Sequence, residues 1–434
     1  MKKKLIIILI WVLIWQLLSM LSDNRILMVG PGDTLGALLQ MAGKKHFWQT
    51  VGTSLCRIMS GVLAGTIGGF LLAYAAGRFR LLADFLHPAI TLLKAIPVVS
   101  FVILLLVRIG SRMTPVYVTA LVTLPIAYLN LLSSIAQLDE GLQEMAKVYG
   151  MPFSRRLRYV ELPQLWPQIT ASLSLAVGMG FKSGAAAEVI GQAKNTIGNE
   201  MYRSKIYLET ADLFAWTAVI ILLSRGMELL LRFLLSMAGG RGIRQKKTNW
   251  KKNAGAAAGD SREPLADTSG YRLPAGEKAS LTGASGAGKT TVLRSLLGEN
   301  PGAVVMFQED RLLPGLSAVE NCRVVQPKKT SVSVEAIRKE LLRLLPEETL
   351  NRPVRSLSGG EMRRVALVRA FLKDSPMILL DEPFAGLDHE TEEIVKAYIL
   401  EKSRGKTVYV TDHDGTHFPE WKKMEVKASI KENY

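Results

Sequence analysis

Residues Gly283, Ala284, Ser285, Gly286, Ala287, Gly288, Lys289, Thr290 and Thr291 form a glycine-rich stretch between a short strand candidate and an apolar helix. The first, Lys278–Thr282, reads as a short strand; the second, 291–297, reads as a helix. A strand, a glycine-rich turn and a helix in that order make a phosphate cradle. Glycines let the backbone wrap phosphate, and the amides at the helix start point toward negative charge. Lys289 is placed to reach terminal phosphates, and Thr290 to hold Mg²⁺ through its hydroxyl. A second apolar run, Met377–Leu380, has the character of a buried strand. It delivers Asp381 and Glu382 to its C-terminal edge, where ligand sites of α/β sheets form. Asp381 is expected to hold Mg²⁺, and Glu382 to orient and polarise an attacking water. The alternative, a solvated acidic pair, fits poorly with the Pro-Phe-Ala-Gly-Leu-Asp run that ends at Asp388.

The chain has 434 residues, enough for two domains or more, and 48% of them are hydrophobic. The mean hydropathy of +0.19 is high for a soluble protein, and the apolar residues concentrate before residue 238. A spanning helix needs roughly twenty mostly apolar residues. Six segments qualify, at about 5–22, 50–77, 84–108, 114–138, 164–190 and 211–236. The start, Met1-Lys-Lys-Lys-Leu, has the look of a signal peptide, but its uncharged run lacks a clear cleavage site and reads as a retained span. The net charge of +16 clusters beside apolar spans, without an aromatic-interleaved basic groove. It therefore points to cytosolic flanks of membrane helices rather than to nucleic acid. Lys2 to Lys4, Arg78 and Arg80, Arg155 to Arg158, and the basic run after residue 240 fall on one side of a six-span topology. This places the N-terminus and the C-terminal half in the cytoplasm.

Lys94 could face a path through the membrane or snorkel at its boundary. Glu228 and Arg232, four residues apart, share a helix face and are expected to pair near the cytosolic end. Glu188 is a weaker candidate for a path-lining residue. Cys56 and Cys322 read as unpaired and structural, with no metal-ligand spacing around them. Residues 238–270, with an Ala-Gly-Gly, a basic run and an Ala-Gly-rich stretch, read as a flexible linker.

Two further stretches carry a family resemblance. Leu357, Ser358, Gly359, Gly360 and Glu361, continued as a helix from Met362, resemble the signature of an ABC transporter ATPase. Gln308 in Val305-Met-Phe-Gln, Asp388 in Ala385-Gly-Leu-Asp, and His413 in Thr411-Asp-His-Asp match that family's further loops in the family's order. The resemblance implies that Gln308 touches Mg²⁺ and couples ATPase to permease. It implies that Asp388 faces a partner subunit, that His413 contacts the γ-phosphate, and that Ser358 with its neighbours binds ATP held by the opposite subunit. ATP and Mg²⁺ are the implied cofactors, with Glu382, His413 and Gln308 as the catalytic set. In the first half, Glu144, Ala146, Gly150, Leu162 and Pro163 match the "EAA" loop of bacterial ABC importer permeases, with Met145 and Val160 as mild departures. That loop is expected to be a short helix, a break at Gly150-Met-Pro152, and a second helix ending before Pro163. In the family its first helix docks on the ATPase. Softer matches at 93–100 and 184–190 favour the nitrate, sulfonate and taurine group of permeases.

The expected architecture is thus an all-α six-helix transmembrane permease domain over 1–237, a linker over 238–270, and a shortened α/β P-loop ATPase domain over 271–434. Only eighteen residues separate Lys289 from Gln308, so part of the antiparallel β-subdomain is expected to be missing. Tyr271 stands too close to Lys289 to match the family's adenine-stacking aromatic. One cradle and one signature per chain imply a homodimer. The resemblance adds an extracytoplasmic solute-binding protein and a small, nitrate-, sulfonate- or taurine-like solute, in a multi-pass protein of the prokaryotic cytoplasmic membrane. An exporter, a non-transporting membrane ATPase and an inactive assembly subunit are the competing readings.

Overall fold

The computed structural model describes residues 2–21, 28–238, 268–327, 332–412 and 415–426. They fall into two compact units. One comprises Met1–Gln137 and Leu165–Gly239, the other Leu138–Gln164 and Gly240–Tyr434. The segment 138–164 thus belongs to the same unit as the cradle.

The first unit is helical. Among the described residues, three helices are long and apolar enough to cross a membrane: Lys45–Arg78, Thr114–Ile135 and the helical run Phe153–Gly191. Their packing is built on small residues. A Cβ added at Gly61, Gly65 or Gly69 would come within 2.5 Å of a carbonyl oxygen of the Thr114–Ile135 helix. Four-residue spacing puts the three glycines on one face, which lets the two backbones approach closely where lipid offers no hydrophobic drive. Outward faces carry exposed apolar side chains such as Leu71, Leu104 and Leu222.

The third expected span, 84–108, is not one helix. It is a pair, Arg80–Ala95 and Val98–Ile109, bent by 99°. The cause is local: a residue before proline avoids the α region, and Ile96 before Pro97 is extended (φ −69°, ψ 128°). The first and last expected spans fall on the helices Lys2–Leu21 and Thr210–Ala238, which are not among the helices long and apolar enough to cross, so the described residues give three such helices, or four with the bent pair counted as one, and not the six expected. Glu188 is fully buried and points inward. Its Oε2 accepts from Ser54 Oγ at 2.8 Å and from the Gly198 amide at 3.1 Å, at the start of the Ile197–Ile206 helix.

In the second unit, five strands form one parallel sheet: β1 Lys278–Thr282, β2 Val304–Met306, β3 Met377–Leu380, β4 Thr407–Thr411 and β5 Lys422–Glu425. Their order is β2-β3-β4-β1-β5. β3 is a continuous apolar run and β4 is buried along its whole length, as burial on both faces requires. No antiparallel strand joins this sheet among the described residues. The linker lies almost wholly outside them, as does His413.

Candidate nucleotide site and its coupling segment

Strand order decides which side chains meet. β4 lies between β1 and β3, with Leu281 paired to Thr411 and Leu380 to Val410. The carboxyl ends of the three strands are therefore level, and the residues just beyond those ends share one edge. β1 runs into the turn 283–288. Gly288 takes φ +95°, a left-handed conformation that glycine adopts without strain, and the helix Lys289–Glu299 begins after it. Lys289 is buried, and its ammonium donates to the carbonyls of Gly283 and of Ala284, the latter at 3.2 Å. Ala284, Ser285 and Gly286 are exposed along the turn, and Thr290 and Thr291 are half-buried on the helix's first turn.

Asp381 and Glu382 come directly after β3. Asp381 is buried, and Thr411 Oγ1 donates to its Oδ1 at 2.9 Å. The same hydroxyl accepts the Glu382 amide at 2.7 Å. One threonine at the end of β4 therefore fixes both acidic residues. Burial pushes the Asp381 carboxyl up from its ordinary value, against hydrogen bonds from Thr290 and Thr411 that pull it down. Glu382 has φ +49°, an uncommon conformation for a residue with a Cβ, and one found where surrounding structure over-determines a site. Gln308, just beyond β2, donates from Nε2 to Glu382 Oε2 at 3.3 Å. Thr290, Gln308 and Asp381 line one cleft of about 60 Å³. A hydroxyl, an amide and a carboxylate facing one cleft are the hard oxygen donors that Mg²⁺ takes, so these residues fit that ion.

The signature residues sit at a helix start. Ser358 caps the Gly359–Leu372 helix in a reciprocal capping box with Glu361. Leu357 is buried beneath it, and Ser358 and Gly359 are exposed. Asp388 caps the next helix, His389–Lys402, accepting the Thr391 amide at 2.9 Å.

The same signature helix holds the segment after β2. Arg369, 1% exposed, donates to the carbonyls of Arg311 and Asp310 at 2.9 Å each. Arg363 donates to the Phe307 carbonyl at 3.2 Å and lies 3.3 Å from Asp310 Oδ1.

Against this segment lies the helix Glu140–Val148. Leu142, Met145, Ala146 and Tyr149 are buried in one core with Val305, Leu313 and the strands. Glu144 Oε2 stands 2.6 Å from Arg311 Nη1. Tyr149 is fully buried, with its hydroxyl donating to the Val305 carbonyl at 3.2 Å and Arg369 4.9 Å from its ring centre. Lys373 donates to the Tyr149 carbonyl at 2.9 Å, and Arg155 to the Val324 carbonyl at 3.1 Å. Gly150 takes φ +63° and ends the helix: its amide bonds Lys147 O at 3.0 Å, and the Met151 amide bonds Ala146 O at 2.9 Å. This is the i→i−5 closure in which a left-handed residue satisfies the last carbonyls.

The second helix of the loop does not end before Pro163. A π-helical turn, Arg156–Glu161, leads into the helix Leu162–Gly191, with Leu162 and Pro163 half-buried in its first turn. Pro163 follows directly on the π turn, where the Leu162 amide bonds the Leu157 carbonyl in the i→i−5 pattern, and the helical run Phe153–Gly191 continues through the proline.

Four residues past His413, which lies outside the described residues, His417 packs flat on Phe384 with ring centres 4.2 Å apart. Its Nδ1 lies 2.9 Å from Asp412 Oδ2, and its Nε2 bonds Glu392. Thr411, Arg369, Arg311 and His417 are the contributors that sequence reasoning did not single out. Thr411 had a visible signal, since it ends an apolar strand directly before an Asp-His-Asp run.

Comparisons with known proteins bear on both units. Residues 65–235 match the family model described as binding-protein-dependent transport system inner membrane component. Residues 299–385 match the model described as ABC transporter. A glucose import ATP-binding protein of Saccharolobus solfataricus is 35% identical over 181 residues, 34% of this chain and 51% of the relative. An aliphatic sulfonates import ATP-binding protein of Pseudomonas syringae pv. tomato is 35% identical over 165 residues, 35% of this chain and 60% of the relative. A thiamine import ATP-binding protein of Haemophilus influenzae is 35% identical over 143 residues, 27% of this chain and 66% of the relative. The chain thus spans about half to two thirds of the length of these curated relatives.

Proposed function

We propose that this chain, which joins a permease domain of the binding-protein-dependent transport type to an ABC transporter ATPase domain, is an ATP-driven importer. It would act as a homodimer in the cytoplasmic membrane and receive a small anionic solute from an external solute-binding protein. The observation that supports this reading best is the burial of Leu142, Met145, Ala146 and Tyr149 in one core with the ATPase sheet. A loop of importer type is thereby held against the segment that carries Gln308.

In this reading Gly283 to Thr291 cradle the phosphates of ATP, and Lys289 exchanges its loop carbonyls for phosphate oxygens. Thr290, Asp381 and Gln308 would hold Mg²⁺, which supplies charge neutralisation on the phosphates. Glu382, oriented through its amide by Thr411 and through its carboxylate by Gln308, directs the attacking water. His413 faces the γ-phosphate. Ser358 and the amides of the capped signature helix address ATP bound by the other copy, with Asp388 at the same interface. Binding draws two ATPase domains together, and the coupling helix carries that motion to the permease.

The test is ATP turnover and solute uptake by the full chain in vesicles, beside a Glu382→Gln variant. The variant is expected to lose turnover by about a hundredfold or more, the scale of a positioned general base. Equal turnover in both proteins would overturn the assignment. Turnover without ATP-dependent uptake, with or without a binding protein, would favour a non-transporting ATPase.

A further inference from the structure

The helix Ile197–Ile206 of the first unit is anchored at its first turn. Ile197 is buried in an apolar cluster with Met41, Phe47 and Trp216, while Lys205 to Glu209 are exposed. Each of the first three amides has a partner. The Ile197 amide donates to Ser54 Oγ at 2.8 Å, the same hydroxyl donates to Glu188 Oε2 at 2.8 Å, and the Gly198 amide donates to that oxygen at 3.1 Å. Thr196 Oγ1 accepts the Asn199 amide at 3.2 Å. Gly198 sits so close that a Cβ added to it would fall 2.3 Å from Glu188 Cβ. Ser54 belongs to the helix Lys45–Arg78 and Glu188 to Leu162–Gly191, so one carboxylate ties three helices together.

Two features make this anchor releasable. The chain on either side of the helix is strained: Gln192 (φ +46°) and Asn195 (φ +58°) precede it and Leu208 (φ +60°) follows it, all in the left-handed region. Residues with a Cβ stay there where surrounding structure imposes it. The charge on Glu188 is also only half used. Its Oε1 is buried without a hydrogen-bond partner, as is Arg57 Nη1. Thr196 also faces the carboxylate, but its hydroxyl is given to the Ala193 carbonyl. Arg57 is within electrostatic reach of Glu188, and the other charge it faces is Arg112. Arg57 is three residues beyond Ser54, hence on the neighbouring turn of the same helix face, about 4.5 Å along the axis. An unused carboxylate oxygen and an unused guanidinium nitrogen one turn apart define a second seat for Glu188, where an ion pair replaces the hydrogen bonds.

We propose that Glu188 is a two-seat latch of the permease. On Ser54 and Gly198 it holds the Ile197–Ile206 helix in place; on Arg57 it releases that helix, and the strained connectors relax. The helix follows Gly191, the far end of the spanning run Phe153–Gly191, so its release opens the membrane face opposite the start of that run. This inference rests on the importer reading for what drives it, the binding of ATP, while the latch itself needs no nucleotide. Glu188 is thus a positioning residue.

Ser204, buried on the same helix, reports the helix's position. The full-length chain carrying Ser204→Cys and Cys56→Ser is placed in phosphatidylcholine nanodiscs. Its rate of modification by a water-soluble maleimide is measured without nucleotide and after trapping with MgATP and vanadate. Cys322 is buried in the other unit, and the chain without Ser204→Cys gives its background. Modification without nucleotide is expected to be slow. Glu188→Ala and, with the carboxylate intact, Gly198→Ala are expected to raise it at least tenfold. Glu188→Gln keeps an acceptor for Ser54 and Gly198 but brings no charge to Arg57, so it is expected to stay slow in both states. Trapping is expected to raise the rate at least fivefold in the parent and in Arg57→Lys, but not in Arg57→Gln. Indifference to both alanine variants, a Glu188→Gln protein as fast as Glu188→Ala, or a nucleotide response retained by Arg57→Gln would each overturn the proposal. Release by the alanine variants in a parent that never answers nucleotide would uphold the latch and remove the ATP-driven importer.

Discussion

Glu144 Oε2 lies 2.6 Å from Arg311 Nη1, and the Arg311 guanidinium lies 3.8 Å above the Phe307 ring, next to Gln308. The carboxylate belongs to the Glu140–Val148 helix and the arginine to the segment that follows β2. A shift of either is felt by the other through a charged hydrogen bond, while Arg369 pins the carbonyls of Asp310 and Arg311 from behind. The pair is partly exposed, so its own worth is about 1 kcal/mol or less. Glu144→Gln is therefore expected to leave the fold intact and to lower solute moved per ATP hydrolysed by about twofold to fivefold. The ratio of uptake to turnover in vesicles checks this. A parallel fall in both rates would mean that the pair serves the ATPase alone.

Gly150 closes the Glu140–Val148 helix with φ +63°, and a Cβ built on it meets nothing within 4 Å. The cost of Gly150→Ala is then purely conformational, about 1–2 kcal/mol for a left-handed alanine. Asparagine enters that region more readily, so Gly150→Asn is expected to recover a good part of the loss. Thermal unfolding of the ATPase unit in the full chain should rank the proteins Gly, Asn, Ala. Equal midpoints for alanine and asparagine would show that the glycine is needed for space and not for conformation.

The nucleotide edge is legible in the sequence because its chemistry is local. The cradle, the Asp381-Glu382 pair and the signature are each contiguous, and β3 is an apolar run that announces its end. The break at Pro97 is equally local, yet a count of apolar length alone passes over it and returns one span. Arg369 is invisible for a different reason. Its value lies in two backbone carbonyls some sixty residues earlier and in the Tyr149 ring, and no pattern in the signature helix marks one arginine of several as buried. The same holds around Glu228: its spacing from Arg232 reveals one pair, while the second partner, Arg225, needs the fold.

Thr411 places one hydroxyl between Asp381 and Glu382, donating to the first and accepting from the backbone of the second. Thr411→Val keeps the strand's shape and removes both bonds. Loss of a hydrogen bond to a charged group, together with an amide left unpaired, is worth about 2–4 kcal/mol. Expressed in the transition state, that is a fall in ATP turnover of about thirtyfold to several hundredfold. Thr411→Ser retains the hydroxyl and should restore most of it. A valine variant with normal turnover would show that Glu382 is positioned by its neighbours without Thr411.

His417 gives the ATPase unit a dependence on pH. Burial pulls the imidazole pKa down, but hydrogen bonds and charge from Asp412 and Glu392 outweigh it and hold it above its ordinary value. The protonated ring bridges both carboxylates while stacking on Phe384, two residues beyond Glu382. A histidine with a raised folded pKa contributes stability that is fully present below its unfolded pKa, about 6.5, and is lost as pH rises through the folded pKa. Wild-type protein should therefore lose thermal stability as pH climbs from about 6.5 into the mildly alkaline range. His417→Gln keeps a donor without a titrating proton, and its unfolding midpoint should stay flatter over the same range. If the two proteins track each other across that range, the bridge between Asp412 and Glu392 holds without the proton and the dependence lies elsewhere.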